Sequence, residues 1–242
     1  MGTWDRTEAI LVVVVRMTPR RPVTSQTLNV VRSFERRLER LFEGVAGKVF
    51  SGRLHPSEIA GKLAREADFA RFEHETGPAT ANAYTILVNP RDLTLDPGEL
   101  ESVLAEEVDR YTTDEGLRLE GPISIAIEAD EDVSPGTVVC HLEVKPGPTV
   151  PWARLVGSDV VEVGRNRVLI GRSPQVDIVL PYEDISRQHA VLWRQDGQVW
   201  IRDLGSSNGT FLDGQPVGRE ALTVNPGSVL GFSEHRYRLA DL

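Results

Sequence analysis

The spacing of apolar side chains changes along the chain from a helical period to a period of two. Between residues 32 and 50 apolar side chains recur at intervals of three and four, which predicts an amphipathic helix with a charged outer face. Pro56 suits the first turn of a second helix. The buried stripe of this second helix would consist of Ile59, Leu63, Ala67 and Ala70.

A strand, a third helix and two further strands are predicted next. Residues 84–88 alternate between two faces and are followed by Asn-Pro, as at the end of a strand. Asp96-Pro97-Gly98-Glu99 is a helix-start motif, because the aspartate can cap free amides and proline fits the first turn. Alternation at 123–127 and 138–144 predicts the last two strands. We therefore expect an α-α-β-α-β-β unit at 32–145, an α+β domain with helices packed on a small sheet.

Residues 152–242 have the pattern of an all-β domain. Asp196-Gly197 and Asp213-Gly214 each lie between strand-like runs and predict tight hairpins, and Asn225-Pro226-Gly227 predicts another turn. Many short strands with such turns are typical of a β-sandwich. The segment 146–151 is rich in proline, so we expect a semi-rigid linker that limits the relative orientations of the two domains.

Composition narrows the classes of function. A length of 242 residues accommodates two domains, and the formal net charge of -9 argues against general affinity for nucleic acid or anionic membranes, which require a cationic face. Cys140 is the only cysteine, so an internal disulfide is impossible and a reducing cytoplasm is the expected compartment.

The first residues are expected to lie outside the folded domains. The apolar run at 9–15 is too short to span a bilayer and lacks the features of a signal peptide. We interpret residues 1–31 as a poorly ordered extension or the product of an upstream translation start.

Three polar clusters at predicted strand ends carry the candidate chemistry. They are Gly171-Arg172-Ser173, Ser186-Arg187-Gln188-His189 and Gly205-Ser206-Ser207-Asn208-Gly209-Thr210. The two arginines can grip a phosphate through paired hydrogen bonds, and the serines add hydroxyl groups. The asparagine amide can donate and accept at once, which suits the main chain of an extended peptide. The clusters therefore predict an anion site beside a peptide site, on loops carried by a sheet.

This ordered set, continued by Asp203-Leu204 and Phe211, closely resembles the forkhead-associated (FHA) domain from about Trp152 to the C-terminus. The resemblance implies an eleven-stranded β-sandwich that reads phosphothreonine peptides. It implies that Arg172 and Ser186 bind the phosphate, with Arg187 and Ser207 beside them, and that Asn208 holds the ligand main chain. A loop-shaping role is implied for Gly171, Ser173, His189, Gly205, Gly209 and Thr210.

The N-terminal unit is similar to the N-terminal domain of actinobacterial FHA proteins encoded beside serine/threonine kinases of cell growth. Three short motifs carry this resemblance: residues 34–39, 56–60 and 63–68. The motifs are less specific than the FHA set. Family members can carry a long low-complexity linker between the two domains, whereas the linker here is only six residues long, at 146–151.

Catalysis and cofactor chemistry find no support in the sequence. Ser186, His189 and Asp203 could suggest a hydrolase triad, but there is no G-x-S-x-G elbow and no oxyanion hole is indicated. The remaining histidines lack metal-ligand spacing, and neither a Walker sequence nor a dinucleotide fingerprint is present. We expect no enzyme activity, no metal and no cofactor.

The function expected from the sequence is that of a phosphothreonine-binding signalling adaptor that acts downstream of serine/threonine kinases, in cell-wall or division control. Its partner would be a phosphothreonine-containing protein or a kinase, without nucleic acid or membrane insertion, although a partner could recruit it to the membrane. Phosphorylation of Thr112, Thr113 or Thr137 would allow self-association. Two alternatives remain, a transcription regulator with an FHA sensor and an enzyme with a catalytic N-terminal domain, although the acidic stretch at 92–115 opposes the former.

Overall fold

The computed structural model describes residue 49, residue 54 and residues 56–94 and 96–241. The predicted extension at 1–31 and nearly all of the predicted helix at 32–50 lie outside the described residues. The described chain has separate hydrophobic cores on the two sides of the predicted linker. The boundaries at 145 and 152 stay predictions.

Among the described residues, the first half contains a three-stranded sheet with two helices packed on it and a separate two-stranded sheet. Its elements are α1 (Pro56–Phe69), β1 (Phe72–His74), β2 (Gly77–Ala79), β3 (Ala83–Val88), a 3-10 turn (Pro90–Asp92), α2 (Gly98–Asp114), β4 (Ser124–Ala129) and β5 (Val138–Glu143). Strand β3 is central, parallel to β4 and antiparallel to β5. Leu63 of α1, Leu104 of α2 and Ile86 of β3 are fully buried in one core, as expected for an α+β domain.

Two details of this half differ from the sequence prediction. The β1–β2 hairpin was not predicted, because β1 is mostly exposed and shows no alternation of apolar residues. Helix α2 begins at Gly98, and Pro97 occupies the capping position that Asp96 was expected to take. The Asp96 carboxylate nevertheless accepts a hydrogen bond from the Gly98 N–H at 3.0 Å, so it still satisfies an amide at the helix start.

The second half is a β-sandwich, as predicted. Its strands are β6 (Ala153–Val156), β7 (Val160–Val163), β8 (Arg167–Gly171), β9 (Ile178–Val179), β10 (Ala190–Gln195), β11 (Gln198–Asp203), β12 (Thr210–Leu212), β13 (Gln215–Val217), β14 (Leu222–Val224), β15 (Val229–Phe232) and β16 (His235–Asp241). The order is β14-β11-β10-β8-β9 in one sheet and β13-β12-β15-β16-β6-β7 in the other. These eleven strands, all within the described residues 152–241, agree with the expected number.

The predicted Asp-Gly turns connect neighbouring strands of the sandwich. Asp196 and Gly197 join β10 to β11 with φ angles of 50° and 70°, and Asp213 and Gly214 join β12 to β13 with 50° and 83°. Positive φ at both central residues is the conformation that Asp-Gly favours and that matches the twist of a hairpin.

The two halves are in direct contact through the start of β8. Arg167 is 5% exposed, and its guanidinium lies 4.4 Å from the Trp193 ring centroid. It donates across the interface to the carbonyl oxygens of Gly116 at 2.9 Å and Thr76 at 3.1 Å. Asn166 adds a bond from its side-chain amide to the Leu117 carbonyl at 3.2 Å. The arrangement therefore depends on specific buried hydrogen bonds in addition to the short linker.

Asn82 ties together the ends of the three strands of the sheet formed by β3, β4 and β5. It lies just before β3 and is 1% exposed. Its amide donates to the carbonyls of Pro122, before β4, and Lys145, after β5, and its oxygen accepts from the Lys145 N–H. One side chain thus satisfies three backbone groups where β5 leaves the sheet.

We expect Asn82→Ala to lower the free energy of unfolding by about 2–4 kcal/mol, because backbone groups that it satisfies lose their partners in a buried place. Denaturant unfolding measures this change. Asn225→Ala, at an exposed turn of the sandwich, is the matched control and should change stability by less than about 0.5 kcal/mol. Equal effects of the two substitutions would show that Asn82 has no special role.

Candidate functional site

The three polar clusters meet at one end of the sandwich. Strand β8 ends at Gly171, β10 begins at Ala190 and β11 ends at Asp203. Ala190 pairs with Ile170 on one side and with Asp203 on the other, so these three ends lie at the same edge of the sheet. The sequence prediction that the clusters occupy neighbouring loops agrees with this register.

Close backbone contact joins the first cluster to the second. The Arg172 N–H donates to the Ser186 carbonyl at 3.0 Å, and the Ser173 N–H donates to the Arg187 carbonyl at 3.2 Å. A Cβ atom on Gly171 would lie only 2.2 Å from the Arg187 carbonyl oxygen. Glycine is therefore required at this position for the two loops to approach each other.

Asp203 organises the third cluster. One carboxylate oxygen accepts from the N–H groups of Gly205 and Ser206 at 2.6 and 2.9 Å. The other accepts from the hydroxyls of Ser206 and Thr210, both at 2.6 Å. Burial would raise the pKa of Asp203, but these hydrogen bonds outweigh burial and hold its pKa below the usual range. The carboxylate therefore stays ionised and fixes the turn that carries Ser207 and Asn208.

His189 connects the second and third clusters from the buried side of the loops. It is fully buried, its Nδ1 accepts from the Ser186 N–H at 3.2 Å, and its Nε2 donates to the Gly209 carbonyl at 3.1 Å. These two bonds require the neutral tautomer with a proton on Nε2. Both ring nitrogens are thus engaged by the backbone. The imidazole cannot serve as a base for the Ser186 hydroxyl, which agrees with the rejection of a triad.

Ser186 and Asn208 hold the rim of the site together. The Ser186 Oγ accepts from the Ser207 N–H at 3.0 Å, which leaves its own hydroxyl proton free to donate. The Asn208 amide donates to the Asp184 carbonyl at 2.8 Å. Ser207 and Asn208 are exposed. The structure therefore brings Ser186, Ser207 and Asn208 together at one exposed rim.

The two arginines of the site extend into solvent. The side chains of Arg172 and Arg187 are exposed, and among the described residues neither guanidinium has an ion-pair or hydrogen-bond partner. Ser173 differs from the other predicted residues, because its hydroxyl bonds to the Gln175 side chain within the same loop. The site therefore presents two uncommitted cations, the free hydroxyl protons of Ser186 and Ser207, and the Asn208 amide oxygen. Such a set can bind a doubly charged anion.

Comparison with known proteins agrees with this geometry. The family model of the FHA domain matches residues 168–233, and that of the FhaA N-terminal domain matches residues 31–141. An oxoglutarate dehydrogenase inhibitor from Corynebacterium diphtheriae is 32% identical over 121 residues, which cover 50% of this chain and 80% of that protein. The chain belongs to the FHA-domain family.

Two further proteins are similar to parts of this chain. The glycogen accumulation regulator GarA of Mycolicibacterium smegmatis is 28% identical over 131 residues, which cover 52% of this chain and 77% of GarA. A crystal structure of the FHA domain of CT664 protein from Chlamydia trachomatis is 28% identical, covers 37% of this chain and 95% of that chain, and gives a TM-score of 0.34.

A second carboxylate at the rim of the FHA domain was missed by sequence reasoning. Asp184, whose carbonyl accepts from Asn208, also accepts at its side chain from His235 Nε2 at 3.0 Å. Hydrogen bonds from Ser233 and His235 lower the pKa of Asp184 to about 2. Tyr182 stacks on the His235 ring at 3.6 Å. His235 lies about fifty positions away in sequence, so no local motif signals this contact.

Metal binding and membrane crossing find no structural support in the part of the chain that is described. Residues 49, 54, 56–94 and 96–241 contain no group of three or more His, Cys, Asp or Glu side chains arranged to hold a metal ion. None of the helices described is long and apolar enough to cross a membrane.

The buried His189 predicts acid sensitivity of the FHA domain. Burial lowers the pKa of His189 below its usual value of about 6.5, so the unfolded chain takes up a proton more readily than the folded one. This contribution to stability is complete above about pH 6.5 and is lost as the pH falls toward the folded pKa.

We expect His189→Gln, which cannot titrate, to flatten the loss of thermal stability between about pH 7.5 and 5.5, even if the substitution lowers the Tm at both pH values. Thermal unfolding at the two pH values measures this slope. His141→Gln, at an exposed position on β5, is the control and should leave the slope unchanged. A slope unaltered by His189→Gln would contradict the prediction.

Proposed function

We propose that this protein is a non-catalytic adaptor that binds phosphothreonine-containing proteins through its FHA domain. The observation that carries the proposal is that backbone hydrogen bonds join the loop of Arg172 to the loop of Ser186 and Arg187, with both arginines exposed and the Ser186 hydroxyl proton free to donate. Threonine phosphate brings a charge of about -1.5 to -2 and three strong acceptor oxygens. Two cations and two hydroxyl groups match this group in charge and supply hydrogen-bond donors for its oxygens.

Affinity for a peptide rather than for free phosphate would come from Asn208. Its amide nitrogen is engaged with Asp184, so its side-chain oxygen is the atom left to accept from a ligand N–H. An exposed amide beside a phosphate site can align an extended peptide through main-chain bonds that do not depend on sequence. Preference for threonine over serine would require a place for the γ-methyl group, which the family resemblance implies.

The partner proposed is a protein phosphorylated by a serine/threonine kinase, or the kinase itself, in cell-wall or division control. Relatives of this chain in Corynebacterium and Mycolicibacterium are named as an inhibitor and a regulator, which supports a regulatory role without catalysis.

The proposal that this chain is itself phosphorylated now concerns two threonines, Thr113 and Thr137. Thr112 is fully buried and its hydroxyl donates to the Asp109 carbonyl, whereas Thr113 is half-buried and Thr137 is exposed.

We expect Arg172→Ala and Ser186→Ala each to weaken binding of a phosphothreonine peptide by about ten- to a hundredfold, because a charged hydrogen bond contributes roughly 1.5–3 kcal/mol. The Arg172 side chain is exposed, and the exposed Ser207 N–H that loses the Ser186 oxygen can bond to water instead, so the Tm should change little in either variant. Isothermal calorimetry with a peptide selected from a phosphothreonine library measures the affinity, and the unphosphorylated peptide is the ligand control.

Arg154→Ala is the matched protein control, because Arg154 is an exposed arginine on β6 that pairs with Glu162 and lies away from the site loops. This variant should bind like the wild type. Unchanged affinity in the Arg172 or Ser186 variant would contradict the site. Failure of the wild type to bind any phosphothreonine peptide would contradict the function itself.

A further inference from the structure

The N-terminal domain contacts two of the three loops that form the exposed rim of the candidate phosphopeptide site. One contact is made by Arg118, which follows α2, and the other by Glu75 in the turn between β1 and β2. They reach the loop that carries Arg172 and the loop that carries Ser186, respectively. The two contacts are separate in sequence and in kind, so each gives independent evidence.

The first contact is a buried, bidentate ion pair. Arg118, which is 5% exposed, donates to the two carboxylate oxygens of Asp177 at 2.7 and 2.8 Å and to the Arg167 carbonyl at 2.8 Å. Asp177 also accepts from the Leu169 N–H at 2.8 Å, so the ion pair is joined directly to strand β8. Asp177 closes the loop that begins at Arg172. The N-terminal domain thus fixes the end of the 172–177 loop that lies opposite Arg172.

The electrostatics of this pair favour the charged state of both partners. Burial would lower the pKa of Arg118, but hydrogen bonds to Asp177 and Glu120 outweigh it and raise the pKa. Burial would raise the pKa of Asp177, but the hydrogen bonds from Arg118 and the Leu169 N–H, together with the charges of Arg118 and Arg165, outweigh burial and lower the pKa. This bidentate pair is costly to break, because removal of Arg118 would leave the Asp177 carboxylate with only the more distant Arg165 guanidinium, at 3.6 Å, as an ion-pair partner.

The second contact reaches the loop of Ser186. The Gln188 amide donates to the Glu75 carboxylate at 2.7 Å, two residues beyond Ser186. The turn that carries Glu75 is itself fixed, because Thr76 is fully buried and its carbonyl accepts from Arg167. Glu75 therefore holds the loop of Ser186 from a turn that is itself fixed by hydrogen bonds.

We propose that the N-terminal domain positions the phosphopeptide loops, so that domain docking and phosphopeptide binding are thermodynamically coupled. The inference rests on the proposed function of the FHA domain and deepens it. Loops already held in the bound arrangement lose less conformational entropy when the peptide binds, which increases affinity. Coupling between equilibria is reciprocal, so a bound phosphopeptide must also tighten the docking of the N-terminal domain. Arg118 and Glu75 are positioning residues in this scheme and do not touch the phosphate.

The test measures phosphopeptide affinity in variants of the full chain. We expect Arg118→Met and Glu75→Ala each to weaken binding by about five- to twentyfold, within the usual range of coupling between sites. Arg71→Ala is the matched control, because Arg71 pairs with Asp68 and Glu115 inside the N-terminal domain. It should reduce stability and leave affinity unchanged.

Two further measurements distinguish positioning from general destabilisation. Glu75→Gln keeps an oxygen that can accept from Gln188, so it should retain near wild-type affinity; a loss equal to that of Glu75→Ala would overturn the positioning role of Glu75. The Asp196 N–H donates across the interface to the Asp114 carbonyl at 3.0 Å. Hydrogen exchange at this amide should slow when the phosphopeptide is bound, and unchanged exchange would overturn the coupling.

The outcomes separate this inference from the proposed function. If the wild type binds the phosphopeptide and both Arg118→Met and Glu75→Ala bind equally well, the FHA site stands and the positioning role is wrong. If the wild type itself fails to bind, the proposed function is wrong.

Discussion

The hydrogen bonds that join the loops at one end of the sandwich are the constraint on which the site depends. A phosphate is bound strongly only by donors that are already in place, because each flexible loop that must be ordered reduces the affinity. Here the loops are joined by backbone bonds between Arg172 and Ser186, by the Asp203 carboxylate and by the two nitrogens of His189. None of these bonds uses the side chains of Arg172, Ser186 or Arg187.

This separation of roles has a chemical logic. The supporting groups are satisfied inside the protein: Asp203 accepts four hydrogen bonds and His189 is engaged at both nitrogens. The arginines at the rim have no such partners among the residues described. A protein with a net charge of -9 can therefore present a local cationic site, since Asp203, Asp184 and Asp177 beside it already have hydrogen-bond partners. Long-range attraction of polyanions is not required for recognition of one phosphate.

The contact between the two halves restricts the domain orientation more than the short linker does. A six-residue proline-rich segment would by itself allow a range of orientations. Arg167, buried against Trp193 and bonded to Thr76 and Gly116, selects one of them. The N-terminal domain consequently lies against two loops of its own FHA domain, to which Arg118 and Glu75 are hydrogen-bonded.

Much of the fold and the composition of the site could be predicted from the sequence, because both depend on local patterns. Alternating apolar residues indicated β3, β4 and β5, and the Asp-Gly pairs determined hairpins through their own backbone preferences. The order of the polar clusters identified the family before any coordinates. The β1–β2 hairpin had no such pattern, because its short first strand is mostly exposed and its pairing depends on neighbours.

Only the tertiary structure decided which contacts the predicted site residues and their neighbours make. It showed that Ser173 bonds within its own loop, that Asp184 and His235 meet at the rim, and that Arg118 and Glu75 reach across from the first domain. Such contacts join residues up to 113 positions apart. Side chains of this kind carry no periodic signal in sequence, since their partners are selected by the packing of two domains and not by the residues beside them in the chain.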